Sequence, residues 1–269
     1  MASRDVWGIC KLCLTHRKLQ RSHYLPKGLY HLCQLEGRNP IIATPAIVDE
    51  TPRQMWKHLL CSECEDLLNK RGESYVLNLV HRGDRFSLLE RMRLSMPIGR
   101  SGTVPMYTSV QLGIKTNKLA YFALSLAWRG AQGPWRTIEG QTTDLTLGQF
   151  EEPIRQYLHG NSKWPSDIVV LATACTDRVS QEWILPPWEI PGDIPDGKLM
   201  GIGTCIPLLV RGIWFWILLG NIPRQVADWC CVSSSQKILF LGDCAEQLLV
   251  MCRHFVESAE DRTTRLHLH

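Results

Sequence analysis

This sequence has little of what a secreted or membrane-spanning protein needs. Its first seven residues include Arg4 and Asp5, and no apolar core follows them, so they do not resemble a secretory leader. The most hydrophobic stretch, Ile206 to Gly220, is too short for a membrane helix and is interrupted by Pro207. No internal repeat or low-complexity tract is present. We therefore expect a cytoplasmic globular protein that inserts into no membrane.

A disulfide framework is also disfavoured, although the chain has eleven cysteines. Their number is odd, and four of them form two C-x-x-C pairs, Cys10 with Cys13 and Cys61 with Cys64. Such a pair places two thiolates on one side of a metal ion, and Zn²⁺ prefers four ligands in a tetrahedron. The two pairs therefore predict one structural zinc site. An iron–sulfur cluster, a redox pair and coincidence are the alternatives.

The other seven cysteines lie in mostly apolar surroundings, where a buried free thiol is the default. The 47 residues that separate the two C-x-x-C pairs leave room for an insertion between them. Part of that insertion, Gly37 to Pro52, contains three prolines and predicts an irregular connection.

Positive charge is concentrated beside the cysteine pairs. The net charge is only +4, but residues 1–100 contain 16 Lys and Arg against 10 Asp and Glu, whereas the remainder contains 14 against 16. A basic surface favours a polyanion such as nucleic acid, and chance asymmetry is the alternative. The candidates for phosphate contacts are Arg17, Lys18, Arg21, Lys27, Lys70 and Arg71.

Hydrophobic periodicity predicts an α+β fold in three parts. Residues 1–82 form the zinc-bearing module, residues 83–117 a polar connecting segment, and residues 118–269 a separate α+β domain. The predicted helices are Glu65 to His81, Lys118 to Arg129, Phe150 to His159 and Ala245 to Glu257. The predicted strands are Met55 to Leu60, Asp167 to Ala172, Lys237 to Gly242 and a buried pair around a turn at Arg211-Gly212.

Residues with catalytic potential lie next to the cysteine pairs. Glu65, Asn69 and Glu73 are spaced by four, which places them on one face of a helix. Carboxylate and amide oxygens are hard ligands of the kind that Mg²⁺ or Mn²⁺ takes. A histidine such as His23 can serve as the general base that activates water. The group therefore suits metal-assisted phosphodiester hydrolysis, although each residue alone is also typical of an ordinary polar surface.

The order of these motifs resembles the HNH (ββα-metal) nuclease motif in its zinc-bearing form. C-x-x-C is followed by S-H-x-x-P-K at residues 22–27 and by L-C-x-x-C-E at residues 60–65. The likeness is closest to a group of poorly characterised bacterial HNH-like proteins; the motif covers residues 10–73 and a looser similarity extends to about residue 160. The resemblance implies that His23 activates water, that Glu65 stands where a helix histidine usually lies, and that Asn69 follows one turn later to help bind a divalent cation.

Two positions depart from that family's pattern. Ser22 stands where Asp or His is common, and Trp56 stands where an asparagine orients the base; His58 and Asn39 are the substitutes that the chain offers. The resemblance implies a metal-dependent endonuclease acting on DNA and, by analogy, an effector of bacterial defence against phage. Residues 118–269 would then choose the substrate or contact a protein partner. The alternative is a catalytically inactive zinc module that binds nucleic acid or protein.

Overall fold

The computed structural model describes residues 5–35, 37, 41–44, 47–50, 54–82, 85–136, 142–143, 145–188, 190–191, 203–246 and 248. They form a mixed α+β fold, as the sequence predicts. The strands are β1 (Trp7–Ile9), β2 (His16–His23), β3 (Ile41–Thr44), β4 (Ile47–Glu50), β5 (Trp56–Cys61), β6 (His81–Arg82), β7 (Arg85–Phe86), β8 (Gly99–Ser101), β9 (Val104–Thr108), β10 (Trp135–Arg136), β11 (Thr142–Thr143), β12 (Ile168–Cys175), β13 (Trp183–Leu185), β14 (Ile190–Pro191), β15 (Thr204–Val210), β16 (Ile213–Leu219) and β17 (Ile238–Gly242). The α-helices are α1 (Lys27–Leu35), α2 (Ser62–Leu68), α3 (Ser74–Leu77), α4 (Ser87–Arg93), α5 (Ser109–Leu112), α6 (Thr116–Ala131), α7 (Glu151–His159), α8 (Arg178–Glu182) and α9 (Arg224–Ala227). A π-helix (Asn69–Glu73) joins α2 to α3, and a 3₁₀-helix (Gly148–Phe150) precedes α7.

The larger sheet has ten strands in the order β4-β3-β13-β15-β16-β12-β17-β9-β8, with β14 also paired to β15. The pairs β3–β13 and β12–β17 are parallel, and the other pairs are antiparallel. The predicted buried strand pair is confirmed as β15 and β16. Its turn residues Arg211 and Gly212 both have positive φ, 43° and 89°, as a tight reversal between two antiparallel strands requires.

The smaller sheet holds the first half of the candidate site. Strands β1, β2 and β5 form it in that order, all antiparallel. His23, the last residue of β2, lies opposite Trp56, while Leu19 lies opposite Cys61. Helix α2 begins directly after Cys61, so the chain passes from the sheet into a helix at the second cysteine pair.

Helix α6 packs between this module and the larger sheet. Residues 119–130 are all buried, which is typical of a helix that is surrounded on every side. It contacts the π-helix and α3 on one side and β12 and β16 on another, with the rings of Phe122 and Phe215 6.1 Å apart. A Cβ at Gly72 would lie 3.0 Å from the Phe122 backbone, so only glycine fits where the π-helix crosses α6.

Several sequence predictions differ from the structure. The helix predicted over Glu65 to His81 begins earlier, at Ser62, contains the π-helix, and ends at Leu77, while His81 belongs to β6. The prediction of an irregular connection at Gly37 to Pro52 is wrong, because β3 and β4 occupy much of it. Of the predicted closing helix, Ala245, Glu246 and Leu248 are helical, and the other positions lie outside the described residues.

The division into residues 1–82, 83–117 and 118–269 stays a prediction. Within the segment predicted as a connection, α4, β8, β9 and α5 are formed, and β9 pairs with β17 of the larger sheet. One buried apolar cluster includes residues on both sides of this segment, among them Leu60, Leu68 and Phe215. None of the helices in the described ranges is long and apolar enough to cross a membrane.

Candidate metal centre and the neighbouring charged cluster

The four cysteines of the two C-x-x-C pairs converge on one point. The Sγ atoms of Cys10, Cys13, Cys61 and Cys64 all lie within 4.8 Å of one another, and those of Cys13 and Cys61 are 4.0 Å apart. A tetrahedral zinc ion with Zn–S bonds of about 2.3 Å separates its sulfur ligands by roughly 3.8 Å. Donor type, number and spacing therefore fit, and this group could hold a zinc ion, as the sequence predicts.

Backbone geometry holds the two pairs in place. The turn after Cys10 is closed by the Leu14 amide, which donates to the Cys10 carbonyl at 2.8 Å, and Leu14 adopts a φ of 59°. The Cys61 amide donates to the Cys10 Sγ at 3.4 Å, which joins one pair to the other. The pKa of Cys10 is lowered to about 4, mainly because the Cys64 thiol hydrogen-bonds to its thiolate. The pair geometry thus favours a thiolate at Cys10.

Arg155 links the first cysteine turn to α7. Its guanidinium donates to the carbonyl of Leu12, between Cys10 and Cys13, and pairs with Glu152 at 2.7 Å. Glu152 accepts from both Nε and Nη2 of Arg155, so the charge of the guanidinium is paired, and its contribution to the cysteine turn is the hydrogen bond to Leu12. Sequence reasoning missed Arg155, and nothing in its local pattern indicates this long-range contact.

The predicted cation ligands Glu65 and Glu73 instead converge on a buried arginine. Arg129, on α6, is 2% exposed, and its Nη2 lies 2.6 Å from Glu73 Oε1 and 3.5 Å from Glu65 Oε2. Burial raises the pKa of Glu73, and the Arg129 guanidinium opposes that shift. Glu65 Oε1 and Arg129 Nε are buried with no hydrogen-bond partner among the described residues. We call Glu65, Glu73 and Arg129 the charged cluster.

Asn69 does not join the charged cluster. Its side chain is exposed, and its Oδ1 accepts a hydrogen bond from the Ser74 hydroxyl at 2.6 Å. The π-helix that begins at Asn69 changes the angle between successive side chains, so a spacing of four no longer defines one face here. Of the three predicted ligands, only Glu65 and Glu73 come together.

His23 lies half-buried at the end of β2, within the electrostatic reach of the charged cluster. Burial lowers its pKa; Glu65 opposes this effect, and Lys27, Arg129 and Arg21 reinforce it. The imidazole is therefore neutral at pH 7, which is the form that can accept a proton from water.

The two departures from the HNH pattern have distinct structural roles. Ser22 is fully buried, and its Oγ accepts the Leu60 amide at 3.0 Å, which stabilises the irregular pairing of β2 with β5. Trp56 is 45% exposed, and the Arg21 guanidinium lies 4.5 Å above its ring. His58 contacts the edge of Trp56 and has a buried Nδ1 that is unpartnered in the described part of the chain. Asn39 lies outside the described residues.

The predicted phosphate-binding residues lie on the surface. Arg21, Lys27, Lys70 and Arg71 are exposed, as are Arg17 and Lys18. Three of them form exposed ion pairs, Arg17 with Glu63, Lys18 with Asp5 and Lys70 with Asp66, at 3.5, 2.7 and 3.3 Å. Exposed pairs of this kind contribute little to stability, so these cations stay accessible to a polyanion.

Arg129 is the functional candidate that sequence reasoning missed. Arg129 ends an otherwise uncharged stretch of α6 that begins at Leu119, and this was the available signal, because a charge on a buried helix must find a partner. The backbone carbonyl of Arg129 accepts a hydrogen bond from the Trp135 indole at 2.8 Å. The Trp135 ring in turn stacks on Tyr24, the residue that follows His23, with the ring centroids 5.1 Å apart.

No family model, curated protein or solved structure matches this chain.

Proposed function

We propose that this chain is a zinc-stabilised, HNH-like endonuclease that hydrolyses phosphodiester bonds in nucleic acid, with DNA favoured, and that His23 is its general base. The observation that carries the proposal is the arrangement of β2, β5 and α2: two antiparallel strands are followed by a helix, with one cysteine pair in the turn before β2 and the other where β5 meets α2. The resemblance implies this arrangement. His23 ends the first of these strands, and Glu65 lies in the first turn of the helix.

The electrostatics of the site support a base at His23. A general base must be unprotonated before it takes a proton from water, and burial keeps the His23 pKa low. The charged cluster has two carboxylates and one guanidinium, which leaves it with one net negative charge when both carboxylates are ionised. Glu65 Oε1, buried and unpartnered among the described residues, is the oxygen best suited to a Mg²⁺ or Mn²⁺ ion. Such an ion would stabilise charge on the scissile phosphate.

An exposed aromatic and basic surface beside His23 supports nucleic acid as the substrate. Arg21, His23, Trp56 and His58 lie on the same face of β2 and β5, because residues opposite one another, and every second residue along a strand, share a face. Trp56 offers a ring on which a base can stack, and Arg21 can contact a phosphate. A role in defence against phage stays a prediction from the resemblance.

The test is nicking of supercoiled plasmid with Mg²⁺ or Mn²⁺. We expect His23→Ala to lower the rate by about 100-fold or more, while zinc content, folding and DNA binding remain. His31→Ala, an exposed histidine on α1, is the matched control and should cut like the wild type. Because a base works when unprotonated and the His23 pKa is lowered, the acid limb of the wild-type rate should have its midpoint below 6.5.

The second candidate is a binding module that does not cut. It is favoured by Arg129, which supplies a cation to two of the side chains that the sequence predicts as ligands of a metal ion, Glu65 and Glu73. A wild type that binds DNA without cutting it would replace the nuclease proposal with this one. A His23→Ala variant that cuts as fast as the wild type would exclude His23 as the base.

A further inference from the structure

A second group of metal-ligating side chains lies far along the chain from the four-cysteine site. The thiols of Cys175 and Cys244 and a carboxylate oxygen of Asp177 all lie within 4.8 Å of one another. Among the described residues, only this group and the four cysteines bring three or more His, Cys, Asp or Glu ligand atoms this close. The sequence predicts both cysteines to be ordinary buried thiols, so their convergence is new.

Sheet topology explains why the three residues meet. Strands β12 and β17 are parallel neighbours, with Cys175 opposite Gly242. The Thr176 amide donates to the Gly242 carbonyl at 2.9 Å, so both strands end at the same edge of the sheet. Asp177 and Cys244 each lie two residues beyond this register position. The fold therefore fixes three ligands that the sequence separates by up to 69 positions.

Asp177 is oriented by hydrogen bonds to both of its oxygens. Oδ1 accepts the Ser180 amide at 2.7 Å at the start of α8, and Oδ2 accepts the Cys244 amide at 2.9 Å. A carboxylate oxygen has two lone pairs, so each retains one after accepting a single bond. Outer contacts of this kind hold a metal ligand in a fixed direction.

The surroundings are apolar on one side and contain one buried hydroxyl. Cys175 is fully buried and belongs to a cluster with Leu185, Trp188, Trp214 and other apolar side chains, while Cys244 is partly exposed. Ser180 Oγ is buried and lies next to the Cys175 thiol, to which its hydroxyl donates a hydrogen bond. A hydroxyl that donates one hydrogen bond keeps two lone pairs, so Ser180 can also accept a hydrogen bond from a water molecule bound at this site.

We propose that Cys175, Asp177 and Cys244 bind a second Zn²⁺ ion, with a water molecule as the fourth ligand, hydrogen-bonded to Ser180. Zn–S bonds of about 2.3 Å and Zn–O bonds of about 2.0–2.2 Å separate neighbouring donors by roughly 3.5–3.8 Å, within the observed limit. Two thiolates favour Zn²⁺ over Mg²⁺ or Ca²⁺, which prefer oxygen ligands. With three protein ligands, this ion should exchange faster than one held by four cysteines.

The test is zinc content of the full chain after equilibration with Zn²⁺ and removal of free ion. We expect about two ions per chain in the wild type and about one in Cys244→Ser. Cys205→Ser is the matched control, because Cys205 is a buried thiol of β15 in a different cluster, and it should retain about two. Asp177→Asn keeps an oxygen for the Ser180 amide and should also lose the second ion.

Titration of the zinc-free wild type with Co²⁺ gives a second measurement that needs no variant. Thiolate-to-cobalt absorption should grow in two steps, the first from four sulfur ligands and the second from two. One zinc ion in the wild type, or two in Cys244→Ser, would overturn the proposal. Isolation of the protein with a Cys175–Cys244 disulfide would overturn it as well. None of these outcomes depends on nuclease activity.

Discussion

Two groups of polar side chains meet at α2, and they were predictable to different degrees. The four cysteines converge as the sequence predicts, at the junction of β5 and α2. The carboxylates of Glu65, in the first turn of α2, and of Glu73, eight residues later, meet a guanidinium from α6, while Asn69, the third predicted cation ligand, bonds to Ser74.

The difference lies in how much of each geometry is local. A C-x-x-C pair fixes the direction of two thiols within one turn, so two pairs need only one long-range contact to complete a site. Spacing by four along a helix indicates that side chains share a face, but it does not indicate what packs against that face. Arg129 lies 56 positions beyond Glu73 in the sequence, and the periodicity of α2 does not indicate that the two side chains meet.

The largest expected effect comes from breaking the four-cysteine site. Cys61→Ala should lower the zinc content by about one ion per chain and unfold the β1–β2–β5 sheet, because apparent binding energies of structural zinc reach about 10–16 kcal/mol. Metal analysis and circular dichroism measure the two losses. Cys231→Ala, a buried thiol outside both metal-ligating groups, is the control and should keep both its zinc and its fold. Retention of zinc and folding in Cys61→Ala would contradict a structural site.

Apolar patterns were the most reliable guide to the fold. The sequence predicts β5, α6, α7, β12, β17 and the β15–β16 pair, all confirmed to within a few residues. Each of these elements shows its hydrophobic period or its apolar run within a short stretch of consecutive residues. Strands β3 and β4 were missed because the three prolines of their segment predict an irregular connection. In addition, β3 joins the sheet through the parallel pairing of Ile41 with Trp183, far along the chain.

The site was less predictable than the fold for the same reason. The role of Ser22 depends on the buried Leu60 amide, which lies where the pairing of β2 with β5 is irregular and which donates to the Ser22 hydroxyl. The role of Glu73 depends on a π-helix and on the close approach of Gly72 to Phe122. Each is a property of packing between segments, and a single sequence records the residues without recording their neighbours.

A smaller effect is expected from removing the cation of the charged cluster. Arg129→Met leaves two carboxylates near each other with no counter-ion, and breaking a buried ion pair in this way costs about 3–5 kcal/mol of the free energy of unfolding. Urea denaturation at neutral pH measures it. Arg178→Met, which removes an exposed guanidinium paired with Glu182, should cost less than about 1 kcal/mol.

A double-mutant cycle sharpens this result. Combining Arg129→Met with Glu73→Gln should cost less than the sum of the two single substitutions, because the second removes the carboxylate that the first leaves unpaired. Strict additivity would mean that the 2.6 Å contact contributes no coupling, and the charged cluster would then not be a structural unit.

The smallest effect on stability is expected on the exposed face of the same helical segment, where Lys70 pairs with Asp66. Both side chains are more than two-thirds exposed, at 74% and 68%, so Lys70→Ala should change the free energy of unfolding by less than about 0.5 kcal/mol.

If the proposed binding of nucleic acid uses this face, the Lys70→Ala substitution should weaken DNA binding and lower the slope of log affinity against log salt by about one. Fluorescence anisotropy with a labelled duplex at several salt concentrations measures both quantities. Lys163→Ala removes the same charge from an exposed position outside the module and should leave the slope unchanged. Equal losses in the two variants would mean that net charge, rather than the surface beside α2, attracts DNA.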